Sequence, residues 1–101
     1  MEEDYFTFSN VISSELLISL DWDPALLVDF DLWLFTTPGP PSGFISASRT
    51  ISFDGHEQLR SKGLDTLGAE FGVQVQTWGL DKFAPTPSGP WPYQVIVQEA
   101  P

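Results

Sequence analysis

The apolar residues of this chain recur at every second position, a spacing that one face of a β-strand can bury and that a helix cannot. Over residues 15–22, Leu16, Ile18, Leu20 and Trp22 face one way and Leu17, Ser19 and Asp21 the other. Over residues 29–35, Phe30, Leu32 and Leu34 alternate with Asp29, Asp31, Trp33 and Phe35. Phe71, Val73, Val75 and Thr77 alternate with Gly72, Gln74, Gln76 and Trp78, and Tyr93, Val95, Val97 and Glu99 with Gln94, Ile96 and Gln98. Shorter strand candidates are Tyr5–Phe8, Phe44–Ser48, Thr50–Phe53 and Glu57–Arg60. β-Branched and aromatic residues enrich these segments, as pleated, half-buried surfaces require. Proline and glycine interrupt them at Pro38–Gly43 and Pro85–Pro92, which read as loops. Helix is confined to short stretches, Pro24–Val28 or Leu64–Ala69. The pattern predicts an all-β fold: a two-sheet antiparallel β-sandwich or jelly roll of about seven to eight short strands, forming one domain over residues 1–101.

Composition removes whole classes of function. Fourteen Asp or Glu stand against four Lys or Arg, a formal charge of -10, which opposes nucleic acid because phosphate binding needs clustered bases. At 42% hydrophobic and 18% charged, the chain is too apolar for a disordered acidic tail. No apolar run approaches the roughly 18–20 residues of a membrane span. The absence of Cys removes disulfides, thiolate metal sites and thiol nucleophiles together.

The catalytic inventory is thin. His56 is the only histidine, so no multi-histidine metal site can be built. A Ser–His–Asp triad is arithmetically available through Asp54 and His56, but no Gly-x-Ser-x-Gly elbow occurs, and His56 reads as a turn residue after Gly55. Paired carboxylates for glycoside hydrolysis need a deep cleft that a sandwich this small rarely offers. No phosphate-cradling glycine loop is present. The sequence is read as that of a non-enzyme.

Acids are unevenly placed, eight of them and no base falling in residues 1–48. Asp29 and Asp31 point the same way from one strand, and Asp21 and Asp23 end the preceding one. If Pro24–Val28 returns as a hairpin-like loop, the four carboxylates meet at one edge, where calcium would find the oxygen ligands it prefers. The other reading makes Asp29 and Asp31 the solvated face of an edge strand, where charge deters aggregation. Trp33, Phe35 and Trp78 share faces with polar residues, and Trp91 lies between Pro90 and Pro92. They read either as a platform for sugar rings or a peptide, or as ordinary core on a strand covered on both faces; Trp22 reads as core. The uncharged runs Val73-Gln74-Val75-Gln76 and Val95-Ile96-Val97-Gln98 suit pairing across a sheet edge.

The order of segments carries a resemblance. Asp4-Tyr5-Phe6, Leu20-Asp21-Trp22, Asp29-Phe30-Asp31-Leu32-Trp33-Leu34 and the stretch from Gly68 to Val75 follow one another over roughly residues 3–98. The chain thereby resembles the bacterial pre-peptidase C-terminal (PPC) domain, a β-sandwich module found beside secreted peptidases, and is similar in outline to the collagen-binding domains of clostridial collagenases. That resemblance implies a non-catalytic extracellular binding or targeting module, with an extracellular polymer (protein or polysaccharide) as partner. It also implies calcium, held through an acidic N-terminal segment (here Glu2, Glu3 and Asp4) and sheet-edge carboxylates. An extracellular location is expected from the resemblance and the acidic, Lys-poor composition, and not from a targeting signal, because Met1-Glu2-Glu3 lacks the basic and apolar stretches of a signal peptide. The alternative is a structural subunit that assembles through strand edges into an oligomer or fibre; a chaperone-like or prosegment role beside a peptidase is a third.

Overall fold

A computed structural model of the chain describes residues 2–11, 14–26, 28–37, 39–48, 55–79 and 92–101. The candidate strand Thr50–Phe53, most of the second Pro/Gly loop and Trp91 lie outside the described residues. Among the described residues, seven strands follow in chain order: β1 (Glu2–Ser9), β2 (Glu15–Trp22), β3 (Val28–Thr36), β4 (Phe44–Ser48), β5 (His56–Lys62), β6 (Glu70–Gly79) and β7 (Tyr93–Glu99). A single 3-10 turn at Pro24–Leu26 and one π turn at Gly63–Leu67 occupy the two places where the sequence allows helix. Among the described residues, no helix is long and apolar enough to cross a membrane.

The strands form two antiparallel sheets, β1-β6-β3-β4 and β5-β2-β7. This is the two-sheet sandwich that the period-two pattern predicts. The core is filled by the in-phase residues of both sheets: Leu16, Ile18, Leu20 and Trp22 from β2, Phe30, Leu32 and Leu34 from β3, and Phe71, Val73 and Val75 from β6. Trp22 meets Phe30 edge-on with centroids 5.1 Å apart, and Phe8 stacks on Phe71 at 5.5 Å. Each such side chain, fully buried, contributes roughly 1.5–3 kcal/mol.

β2 and β3 belong to different sheets, so the Pro24–Leu26 turn is a crossover between layers and not a hairpin. The two outer faces consequently differ. That of the smaller sheet is polar: Arg60 pairs with Glu15 at 2.8 Å, and His56 with Asp21. That of the larger sheet carries Asp29, Asp31, Phe35 and Gln74, all buried. Phe35 meets Tyr5 edge-on at 6.5 Å and Phe44 at 5.8 Å. β3 is thus covered on both faces, which explains why its sequence shows apolar residues in both phases.

Candidate cation site

β4 joins β3 only from the Leu32–Ser48 pair onward, so the Asp29–Asp31 stretch of β3 has no paired strand on that side among the described residues. β5 of the opposite sheet packs against β3 and β4 there. Glu57 lies opposite Leu20 in the β2–β5 register, a core-facing phase, and its side chain reaches β3. One carboxylate oxygen from each of Asp29, Asp31 and Glu57 lies within 4.8 Å of the others. Asp29 and Asp31 are 0% exposed and Glu57 4%.

Three carboxylates so close in a dry corner cannot all carry charge without compensation. Burial pushes the Glu57 carboxyl from 4.5 up to about 8. The Ser48 side chain opposes that rise, the charges of Asp31 and Asp29 add to it, and the Leu32 backbone opposes it further. Neither stabilising contact reaches hydrogen-bond geometry: both Glu57 oxygens are buried with no hydrogen-bond partner among the described residues. A proton or a hard cation answers this need, and an all-oxygen donor set suits calcium or magnesium rather than a softer metal.

Of the carboxylates predicted to meet, the structure brings together Asp29 and Asp31 and leaves the rest elsewhere. The pairing with Asp21 and Asp23 fails because the turn between β2 and β3 changes layer. Asp21 faces out from the smaller sheet and binds Nδ1 of His56, while Asp23 accepts the Ala25 amide at 2.9 Å and caps the 3-10 turn. Glu3 accepts from Gln74 at 3.2 Å and Gln76 at 3.4 Å, and Asp4 from the Tyr93 hydroxyl at 2.5 Å. Glu2 opens β1 opposite Thr77. The other reading of Asp29 and Asp31, a solvated strand face, is overturned by their complete burial.

The aromatic predictions divide similarly. Phe35, at 5% exposure, is core and cannot stack on a ligand. Trp33 and Trp78 are half-buried, Trp78 opposite Asp29 and Trp33 tilted against Phe44 at 5.6 Å. Among the described residues, the exposed aromatic of this face is Phe44, at 52%, which the sequence did not single out. His56 opens β5 instead of sitting in the turn. The run Val73–Gln76 is central, flanked by β1 and β3, whereas the run Val95–Gln98 does lie on an edge strand. Glu57 was missed, although it shares the alternation phase of Leu59; an acid in a core phase was the available signal.

Compared with family profiles, curated proteins and solved structures, the chain matches none.

Proposed function

We propose that this chain is a non-catalytic β-sandwich binding module held in its native form by calcium at Asp29, Asp31 and Glu57. The observation that carries the reading is the burial of three mutually close carboxylates, with the Glu57 oxygens lacking hydrogen-bond partners among the described residues. Three carboxylates supply three to six oxygens depending on denticity, and waters or carbonyls complete the six to eight that calcium takes. The site joins β3 of one sheet to β5 of the other, so a bound cation cross-links the sandwich and stabilises it by mass action. The resemblance to PPC domains supports the same reading and extends it to an extracellular setting and a polymeric partner. The non-catalytic part rests on the residue inventory and on the engagement of His56, the sole histidine, with Asp21.

Thermal unfolding in calcium and in chelator tests the proposal. The melting temperature should rise with calcium concentration in the wild type and not in Asp29→Asn or Glu57→Gln. An identical scan in calcium, magnesium and chelator sinks it.

The second reading, assembly through strand edges, is favoured by β7. This strand ends the smaller sheet, its residues 93–98 carry no charge, and Ile96 is 36% exposed. Sedimentation at micromolar concentration decides it, and a mass of one 11.2 kDa chain rules it out.

A further inference from the structure

The two sheets part where edge strand β1 faces edge strand β7. There Phe6, Phe8, Tyr93, Gln94 and Val95 line an open cleft of about 300 Å³. Phe6 is 40% exposed and meets the Tyr93 ring edge-on at 6.3 Å. A second hollow of about 360 Å³ shares Tyr93 and Gln94 with the first and continues to Asp21, Trp22 and Asp23. One end of this surface is apolar and aromatic, and the other is acidic.

We propose that the cleft between β1 and β7 docks an extended, apolar and lysine- or arginine-bearing peptide segment of another protein, which adds to β7 as a fourth strand of the smaller sheet. β7 has a strand partner on one side only among the described residues, so its other edge presents backbone donors and acceptors in strand register. A strand added at the usual spacing of about 4.8 Å turns every second side chain toward Phe6 and Phe8. The intervening side chains lie on the outer face, beside Gln94, whose β2 neighbour in the register is Asp21.

Charge complementarity selects the occupant. Asp4, Asp21 and Asp23 border the surface on a chain of net charge -10. The described bases that belong to a strand, Arg60 and Lys62, lie on β5, with β2 between them and β7. A basic partner is therefore drawn to this edge, whereas a second copy brings the same acids against it.

The inference shares the binding-module reading but not the cation. The test titrates the 15N-labelled full chain with the peptide acetyl-Val-Lys-Val-Lys-Val-Lys-amide and with Glu–Val and Gly–Lys counterparts, each in calcium and in chelator. Shifts should concentrate on the β7 amides and weaken with added salt. The two counterparts should bind at least about tenfold more weakly, as loss of one hot-spot contact would give. Phe6→Ala should weaken binding by about tenfold or more, and Asp23→Asn, which keeps its capping oxygen, by a smaller factor. Shifts centred on another strand, equal binding of the Glu–Val peptide, or no shift at excess peptide overturns the inference. So does a peptide-free dimer that shifts the same β7 amides, which would assign the edge to a second copy. A calcium-dependent melting shift that survives any of these outcomes leaves the cation reading standing on its own.

Discussion

Glu57 of β5 and Asp31 of β3 come from opposite sheets, yet one oxygen of each lies buried within 4.8 Å of the other and of Asp29. Such a contact is repulsive when both groups are ionised, and the fold keeps it. A cation held there, as proposed, would turn the same three oxygens into a cross-link between layers. Stability should therefore depend on pH and on cation through one residue.

The sign for the cation-free protein follows from Glu57. Its carboxyl titrates near 8 in the fold and near 4.5 when unfolded, so between these values the native state holds a proton that the unfolded chain has released. The stability associated with the protonated group is complete below about pH 4.5 and is lost as pH rises through about 8. In chelator, the melting temperature should fall by several degrees from about pH 5.5 to 8.5, and Glu57→Gln should flatten that fall. A wild-type curve as flat as the variant's would remove Glu57 as the cause.

At pH 8 in chelator, Asp31→Asn should raise the melting temperature, because it removes a like charge from a buried cluster; in calcium it should lower the melting temperature relative to wild type. The gain in one medium and loss in the other is the readout. A loss of stability in both media would mean that the Asp31 carboxylate serves packing or hydrogen bonding alone.

Both tyrosines of the chain should ionise late. Burial raises the Tyr5 phenol, and burial, the hydrogen bond to Asp4 and the Asp4 charge raise Tyr93 still further. Ultraviolet absorbance at alkaline pH should show little phenolate at pH 10, where free tyrosine is half ionised, and then a cooperative rise as the protein unfolds. Stability from these groups is present below pH 10 and is lost as pH climbs above it. Asp4→Asn should let Tyr93 ionise earlier.

Gly72 lies beneath Tyr5, and a Cβ there would stand 1.7 Å from the Tyr5 hydroxyl oxygen and 2.1 Å from the ring carbon that bears it. Gly72→Ala should therefore destabilise by about 1–3 kcal/mol, as overpacking does. Chemical denaturation should find a smaller effect of Gly72→Ala in a Tyr5→Ala background, since the clash is with that one side chain. Equal costs in both backgrounds would place the strain elsewhere.

Alternation alone reached most of the fold. Leu16, Ile18, Leu20 and Trp22 share a phase that only a strand buries, and β2 and β4 run as the sequence predicts, with their neighbours extended by a residue or a few at their ends. Both small helical segments also fall where expected. The polar outer face of the smaller sheet was legible in the same way, through Glu15 and Asp21.

The acidic site was only half legible. Asp29 and Asp31 could be paired from the sequence because strand geometry puts residues two apart on one face. Their partner could not be read, because period two fixes which face a side chain takes and says nothing about which sheet a strand joins. The crossover at Pro24–Leu26 leaves Asp21 in the other sheet, facing outward against His56, and it is the core-facing Glu57 of β5 that reaches β3 instead. Sequence by itself determined an all-β sandwich with an acidic N-terminal half. Only the tertiary structure decided that two of those acids are buried beside a third, because burial and proximity come from the packing of layers and not from the order of residues along a strand.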